Sequence, residues 1–400
     1  MIVGGSMARE DRNFVPGYTN MKRLRMILLW IVGTIAVLVL ALFAYFAFAP
    51  RIGSNPVGER LKRIEVSPNY RNGKFQNLTE TNMDMPPGKM AGVLWEFIKG
   101  GEGREPSDTI PTVDLDLAAW KAVPDTSFAV AWFGHSSLLI KMGGITFLVD
   151  PVFGDRASTF SFAGPRRFNF RQHMRVDLLP AVDVVLLSHD HYDHLDYETI
   201  VDLVRVNSSN PELRFIAPLG VGAHLEMWGI PAASITEKDW WEAVDMGTVK
   251  LTLAPARHFS GRGMFNRAST LWGSWVLEAN GKKIYFGADS GYSPSFKEVG
   301  ERFGPFDLAL LECGAYNELW TSIHMMPEQT AQAAVDVKAR VLMPIHWGKF
   351  SLAMHPWKEP IERLTKRAGE LGVPLLTPMI GRTVINADLA ASERWWEGLR

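Results

Sequence analysis

One short stretch near the middle of the chain concentrates side chains of the kind that bind metals. It holds three histidines and three aspartates, and it follows the largely apolar run 182–187, which predicts a buried strand. Its nine residues are Ser188-His189-Asp190-His191-Tyr192-Asp193-His194-Leu195-Asp196. Imidazole and carboxylate groups suit zinc or a similar first-row divalent metal. From the turn after the strand, His189 and His191 can reach one metal, and Asp193 and His194 can reach a second.

Three later segments each place one further metal-binding side chain just after a strand pattern. His258 follows the run that starts at residue 251, Asp289 follows 283–287, and His346 follows 341–345. A lone histidine at a strand end is more often structural than ligating. Together with the cluster at 189–194, however, these three residues complete a site for two metals, with Asp289 as the bridging carboxylate. Two metals roughly 3.5–4 Å apart can clamp and activate a water molecule.

Strands and helices of a mixed α+β protein must position these residues. Strand patterns cover 128–133, 138–141 and 145–149 before the cluster, and 214–217, 249–253, 274–278 and 283–286 after it. Met142-Gly143-Gly144 is a hairpin signal between two of them. Helix patterns cover 197–206 and 327–339. In each half strands come first and helices return, which predicts two sheets face to face with helices outside and ligands at one edge.

Shorter motifs around the cluster point to a known family. They are Trp132-Phe133-Gly134-His135-Ser136, Thr146-Phe147-Leu148-Val149-Asp150-Pro151, Leu271-Trp272-Gly273-Ser274-Trp275, Gly287-Ala288-Asp289-Ser290-Gly291-Tyr292, Arg302-Phe303-Gly304-Pro305-Phe306-Asp307-Leu308, Gly314-Ala315-Tyr316 and Ile345-His346-Trp347-Gly348. With the His-x-His-x-Asp-His cluster, they resemble the metallo-β-lactamase superfamily. Within it, the chain is most similar to the N-acylphosphatidylethanolamine-hydrolysing phospholipase D family, over about residues 132–382. The resemblance implies the four-layer αββα sandwich of the metallo-β-lactamase fold.

The resemblance also implies a ligand set for two Zn²⁺, with other divalent metals left open. One metal would be held by His189, His191 and His258, the other by Asp193, His194 and His346, and Asp289 would be shared. His324 matches a histidine that lies over the metals and faces the substrate. We therefore take His324 as the candidate general acid and, with Asp193, as a candidate catalytic residue. His135 and Asp150 are expected to orient metal ligands rather than to bind metal.

The implied activity is that of a membrane-anchored zinc phosphodiesterase of phospholipase D type. Its substrate would be an N-acylphosphatidylethanolamine-like phospholipid, and its products N-acylethanolamine and phosphatidic acid. The alternative is a hydrolase of the same fold that acts on an amide, lactone or thioester. A third interpretation is a metal-bound scaffold or a diiron redox protein, but the diiron version of the fold carries a carboxylate where this chain has His191. Segments 1–130 and 158–164 depart from the animal enzymes, and both would shape lipid access.

Residues 26–49 predict a single transmembrane helix. They contain no charged residue, and as a helix they would extend about 36 Å, which is enough to cross a bilayer core of about 30 Å. The alternative is a cleaved signal peptide, since Ala47-Phe48-Ala49 offers an A-x-A pattern, although Pro50 would then be the first mature residue. Lys22, Arg23 and Arg25 favour a cytoplasmic N-terminus and a catalytic domain on the exported, periplasmic side.

The remaining expectations concern domains and partners. We expect a tail over 1–25, the anchor over 26–49, an extended linker and wrap over 50–123, and the hydrolase domain over 124–400. The net charge of −1 provides no global field that would attract nucleic acid or a membrane. The resemblance and the apolar run 26–49 make phospholipid and membrane the expected partners, and no nucleic acid is expected. The resemblance also points to a homodimer, for which no residue pattern gives separate support. Trp395-Trp396 near the end of the chain either inserts into a membrane interface or belongs to a loose tail.

Overall fold

The computed structural model describes residue 1 and residues 16–82, 87–207 and 212–400. Contacts divide the described residues into two compact units, Met1–Ala49 and Pro50–Arg400. Residues 2–15 of the expected tail lie outside the described residues. The expected boundary between residues 123 and 124 has no counterpart in this division, because residues 50–123 belong to the same unit as the rest of the chain.

The first unit is built around one helix, α1 (Pro16–Phe48). It begins before the expected position 26 and therefore includes the basic residues Lys22, Arg23 and Arg25. Its segment Met21–Phe48 has a mean hydropathy of 2.9 in its most apolar window, none of which is buried. By length and composition this helix can cross a membrane, although a signal sequence near an N-terminus would meet the same criterion.

The second unit begins with short elements that pack onto the catalytic part. They are α2 (Gly58–Glu65), β1 (Tyr70–Arg71), β2 (Lys74–Phe75), α3 (Pro87–Lys99) and α4 (Leu117–Ala122). The expectation of an extended wrap thus missed most of the helices in this segment. Arg60 pairs with Glu237 at 2.7 Å, and the Ser67 hydroxyl donates to Asp239 at 2.6 Å, so polar contacts hold the segment in place.

A seven-stranded sheet carries the loop with the histidine cluster. Its strands are β3 (Phe128–Trp132), β4 (Leu138–Met142), β5 (Ile145–Val149), β6 (Val184–Leu186), β7 (Arg214–Pro218), β8 (Ile235–Lys238) and β15 (Thr383–Ile385). Their order is β15-β3-β4-β5-β6-β7-β8, antiparallel from β15 to β5 and parallel from β5 to β8. The parallel connections contain α5 (Tyr197–Val206) and α6 (Gly222–Met227), as expected for crossovers.

A six-stranded sheet supplies the other candidate ligands. Its strands are β9 (Ala243–Asp245), β10 (Lys250–Ala254), β11 (Ser274–Ala279), β12 (Lys282–Phe286), β13 (Leu308–Glu312) and β14 (Leu342–Ile345). Their order is β14-β13-β12-β11-β10-β9, and β12, β13 and β14 run parallel. The helices α7 (Ser295–Arg302) and α8 (Pro327–Asp336) connect these parallel strands, and α9 (Glu359–Leu371) follows β14.

Alternate side chains of the strands pack into two different apolar clusters, one on each face of a sheet. On β3, Phe128, Val130 and Trp132 join the apolar core shared with the second sheet, whereas Ala129 and Ala131 face a separate cluster. That separate cluster includes side chains of α5 and α6, and helices α7, α8 and α9 bury side chains against the second sheet. Because side chains of a strand alternate between its two faces, the result is a four-layer αββα sandwich. This confirms the predicted fold class.

Sequence patterns placed most of these elements correctly but misjudged the C-terminus. The helix over 197–206 has the expected bounds, while the helix that starts at residue 327 ends at Asp336 rather than at 339. Trp395 and Trp396 do not form a loose tail, since they are 8% and 1% exposed. Trp395 stacks on Trp347 with ring centroids 5.1 Å apart, so long-range aromatic packing orders the end of the chain.

The hairpin between β4 and β5 yields a test of the fold. Gly143 has a φ of +57°, and a Cβ there would lie 2.8 Å from the Val249 side chain. Gly281, in the hairpin between β11 and β12, has a φ of +73° and no neighbouring atom within 4 Å of an added Cβ. We expect Gly281→Ala to cost about 1 kcal/mol of unfolding free energy through backbone strain alone. Gly143→Ala should cost roughly 1–3 kcal/mol more because of crowding.

Urea unfolding of the detergent-solubilised chain, followed by tryptophan fluorescence, measures both values. Equal losses for the two variants would contradict the contact that the structure places between this hairpin and the second sheet.

Candidate metal centre

The histidine cluster lies in a tight loop between β6 and α5. The backbone oxygen of His191 accepts hydrogen bonds from the amides of His194 at 3.0 Å and Leu195 at 2.8 Å, which closes the turn. The Asp196 side chain then caps α5 by accepting from the amide of Thr199. The loop therefore presents its ligand-competent side chains from one point at the end of a buried strand, as the spacing predicted.

Three of the expected ligands converge as a histidine group. His189 Nε2 lies 3.0 Å from His191 Nδ1, and His258 Nε2 lies 3.2 Å from the same atom. Burial lowers the pKa of all three imidazoles, and for His189 the neighbouring histidines lower it further. Neutral imidazoles keep a lone pair for a metal, so this group has the protonation state that binding requires.

Asp289 lies between this group and a second one. Its carboxylate is 4.0 Å from His189 and 3.8 Å from His258 on one side, and 3.1 Å from His194 and 3.0 Å from His346 on the other. Burial alone would raise the pKa of Asp289, but His194 and His346 outweigh it and hold that pKa well below its usual range. This is the position expected of a shared ligand.

The second group contains the remaining expected ligands. Asp193, His194 and His346, together with His135, offer ligand atoms within 4.8 Å of one another. Burial would raise the pKa of Asp193, but His194 and His135 outweigh it and hold that pKa well below its usual range. The structure therefore brings all seven residues of the expected ligand set to one place.

Several buried atoms in this set fit a divalent metal. Among the described residues, His194 Nε2, His346 Nε2 and Asp289 Oδ1 are buried without a hydrogen-bond partner. A buried polar atom left without a partner costs about 1–3 kcal/mol. Their convergence in one cluster is best explained by a cation that all of them bind. Nitrogen and carboxylate donors without thiolate suit zinc or a similar metal.

Hydrogen bonds with His135 and Asp150 hold the candidate ligands in place. Asp150 accepts from His194 Nδ1 at 2.7 Å and from the amide of Ser188 at 2.8 Å. His135 Nε2 lies 2.8 Å from Asp193 Oδ2, and burial lowers the pKa of His135 to about 3, so its ring donates as a neutral imidazole. Such contacts set the tautomer and direction of a ligand.

A second group of hydrogen bonds, around Asp190 and Arg262, also holds the ligand loop, and the sequence patterns did not predict it. Asp190, between two ligand histidines, accepts from Gly261 N at 2.7 Å and Thr270 Oγ1 at 2.9 Å and lies 3.2 Å from His224 Nε2. The buried Arg262 donates from Nη1 to the backbone oxygens of Asp190 and Leu195, each at 2.7 Å. Only the place of Asp190 inside the cluster could have signalled this network.

His324 lies beside the ligands and is held by a partner that the sequence analysis missed. Its Nδ1 is 2.6 Å from Glu312 Oε2, and the other carboxylate oxygen of Glu312 accepts from the Met325 amide at 2.7 Å. Burial would lower the pKa of His324, but Glu312 overcomes this and raises it to about 9. A lone carboxylate at the end of the apolar run 308–311 was the available signal for Glu312.

Strained backbone surrounds the site. Non-glycine residues with positive φ include His135 at 55°, Asp150 at 38°, Ala288 at 51°, Ala315 at 58° and His346 at 63°. Each such conformation costs on the order of 1–3 kcal/mol and persists only where the surrounding structure enforces it. Their concentration at the strand ends shows that the packed sheets determine the geometry of this edge.

An open cavity of about 340 Å³ lies over the candidate ligands. Its polar part is lined by His191, Asp193, His258, Asp289, His324 and His346. Its apolar walls include Phe259, Leu319, Trp320, Ile323 and Leu352. Its lining thus combines the candidate metal ligands with apolar walls, a combination typical of small-molecule sites.

Comparison with known proteins agrees with this geometry. The Beta-lactamase superfamily domain matches residues 146–347. An uncharacterised protein of Mycobacterium tuberculosis is 41% identical over 336 residues, which cover 83% of this chain and 88% of that protein. The N-acyl-phosphatidylethanolamine-hydrolyzing phospholipase D 1 of Caenorhabditis elegans is 34% identical over 251 residues, which cover 60% of this chain and 69% of that protein.

A solved structure shows the same fold. Igni18, described as a metallo hydrolase of the archaeon Ignicoccus hospitalis, matches with a TM-score of 0.50 and 19% identity, covering 65% of this chain and 98% of that one. The sequence relatives, the matched domain and the convergent His/Asp groups lead to one conclusion. The chain belongs to the metallo-β-lactamase superfamily, as a metal-dependent hydrolase with homologues among the N-acylphosphatidylethanolamine-hydrolysing phospholipases D.

Proposed function

We propose that the chain is a membrane-anchored, binuclear zinc phosphodiesterase of phospholipase D type. It would cleave N-acylphosphatidylethanolamine-like phospholipids to N-acylethanolamine and phosphatidic acid. The observation that carries this proposal is the position of Asp289, within 4.0 Å of histidines from both groups, in an open cavity with apolar walls. The name of the Caenorhabditis elegans relative supports the lipid substrate.

The two groups of side chains would each hold one metal ion. His189, His191 and His258 would hold one zinc ion, Asp193, His194 and His346 the other, and Asp289 would contact both. When bound, the two ions supply Lewis-acid activation of water and stabilise negative charge on phosphoryl oxygens. Asp193 also lines the cavity, where its carboxylate would orient the attacking water by accepting a hydrogen bond.

His324 would protonate the leaving group. Its Nδ1 is engaged by Glu312, so Nε2 is the ring nitrogen left for a substrate in the cavity that His324 lines. With a pKa of about 9 the imidazole carries a proton at neutral pH. As the phosphorus–oxygen bond breaks, His324 would give this proton to the departing alkoxide of N-acylethanolamine, and Glu312 would stabilise the imidazolium before that transfer.

The membrane part of the proposal depends on α1. We propose that residues 26–49, of which 26–48 belong to α1, cross the membrane, with the catalytic unit on the exported side, as Lys22, Arg23 and Arg25 favour. The apolar cavity walls support a substrate drawn from that membrane. A homodimer remains an expectation from the family resemblance.

The first test is hydrolysis of N-acylphosphatidylethanolamine by the zinc-loaded, detergent-solubilised chain. We expect mass spectrometry to show phosphatidic acid and N-acylethanolamine, and a chelator to stop their release, because the reaction depends on bound metal. Activity on a simple phosphodiester alone would retain the two-metal hydrolase and discard the lipid substrate. Inactivity on both substrates would favour the alternative, a hydrolase of an amide, lactone or thioester.

Asp289→Asn tests the shared ligand. We expect it to lower bound zinc, measured by plasma mass spectrometry, and to lower kcat by at least about 10²–10³-fold, since charge stabilisation at the phosphoryl group is lost. Asp202→Asn is the matched control, because Asp202 is an exposed residue of α5 that pairs with Arg205. Full activity and full metal content in Asp289→Asn would disprove the assignment.

His324→Gln and Glu312→Gln test the proton donor. We expect His324→Gln to slow cleavage of the lipid substrate by roughly 10²–10⁴-fold, because its alkoxide leaving group needs a proton. Cleavage of an aryl phosphodiester, whose phenolate leaves without a proton, should change far less, and zinc content should not change. Glu312→Gln should show a smaller loss with the same dependence on leaving group. Equal losses on both substrates would indicate a purely structural role for His324.

A further inference from the structure

The point where the chain enters the catalytic unit lies between two loops. Residues Pro50–Ile52 directly follow the end of the first unit. The backbone oxygen of Arg51 accepts from Arg262 Nε at 3.0 Å and Nη2 at 2.6 Å, and Arg262 belongs to the 261–267 loop. Arg51 Nη1 donates to the backbone oxygen of Ser158 at 3.3 Å, in the 158–164 loop. Arg51, near the start of the second unit, is therefore bonded to both loops.

Each of these loops exposes apolar side chains. On the 261–267 loop, Met264 is 57% exposed and Phe265 is 84% exposed, and on the 158–164 loop Phe162 is 75% exposed. Exposed single apolar residues are ordinary on protein surfaces. Here, however, both loops that touch Arg51 carry an exposed phenylalanine, which is typical of loops that insert into an apolar phase.

The charges beside these side chains fit lipid headgroups. Arg166 follows the 158–164 loop and Arg267 ends the 261–267 loop, and both are exposed. Two carboxylates of this region form ion pairs, Asp155 with Arg167 and Glu198 with Arg51. Apolar tips with arginines at their bases match the boundary between acyl chains and anionic headgroups.

The 261–267 loop also connects this surface to the catalytic cavity. Arg267, together with Phe259 just before the loop, lines the cavity over the candidate metal ligands, and so does Leu319, which is 45% exposed. A lipid that leaves a membrane at this loop would therefore reach the cavity without crossing bulk water.

We propose that Phe162, Met264 and Phe265 form a docking surface that inserts into the membrane and holds the cavity mouth at the lipid headgroups. The proposal rests on the membrane attachment stated above, and its occupant is the lipid surface itself. The covalent path of the chain supports this choice, because the residue after a membrane-crossing helix must lie at the membrane boundary and Arg51 touches both loops.

Site-directed fluorescence in the full chain tests the docking surface. The single native cysteine, Cys313, is buried, so a cysteine placed by Phe162→Cys or Phe265→Cys can be labelled selectively with an environment-sensitive fluorophore. Leu389→Cys is the control position. Leu389 is 44% exposed and follows β15. The last residue of β15, Ile385, pairs with Ala129 near the start of β3, whereas His135 follows the end of β3.

The labelled proteins are reconstituted into phosphatidylcholine–phosphatidylglycerol vesicles with and without nitroxide-bearing lipid. We expect the probes at 162 and 265 to shift to shorter wavelength and to lose fluorescence when nitroxide lipid is present, while the probe at 389 does neither. Equal responses at all three positions would overturn the proposal. This readout needs no catalysis, so it decides the docking surface even if the lipid substrate proposed above is wrong.

Kinetics give a second, independent readout. The double variant Phe162→Ser/Phe265→Ser should hydrolyse vesicle-embedded N-acylphosphatidylethanolamine roughly fivefold to tenfold more slowly, since it loses apolar insertion. Its rate on the same lipid dispersed in detergent should stay at the wild-type level. Equal losses on both forms of the substrate would show that the loops shape the cavity rather than dock the membrane, and would contradict the proposal.

Discussion

The pairing of one buried carboxylate with histidines from two directions is the constraint on which the site depends. Asp289 is 3% exposed, and its oxygens lie 3.0 Å from His346 and 3.1 Å from His194. A charged carboxylate in such a place is stable only if neighbouring groups compensate it. Two of those neighbours, His194 and His346, keep a buried ring nitrogen without a hydrogen-bond partner, so the arrangement could bind a cation.

The topology of the sheets explains why these residues meet. Strands β12, β13 and β14 are adjacent and parallel, so the residues after their carboxyl ends share one edge. Asp289 and His346 follow the first and the last of these strands, and Glu312 ends the middle one. The loop after β6 brings the histidine cluster to the same edge from the other sheet. Ligand sites at the carboxyl ends of parallel strands are a general property of such sheets.

The hydrogen bonds that hold the ligand loop extend, through Arg262, to Arg51 near the start of the second unit. Arg262 contacts the ligand loop through the backbone oxygens of Asp190 and Leu195, and it contacts the first residues of the second unit through the backbone oxygen of Arg51. It is 3% exposed, so these contacts are made away from solvent, where a hydrogen bond contributes more. Chemistry on a lipid and attachment to a membrane would thus share one short stretch of structure.

Local sequence determined much of this protein. Alternating apolar residues set the strands, Gly143-Gly144 set a hairpin, and the dense cluster at 189–194 identified the chemistry, because each signal lies within a few residues of the chain. The partner of Glu312, the contacts of Arg262 and the packing of Trp395 on Trp347 could not be found in this way, since they join residues that are distant in sequence. The sequence by itself determined which side chains were present at the strand ends. Only the tertiary structure decided their distances, protonation and supports, because those depend on burial and on contacts between the two sheets.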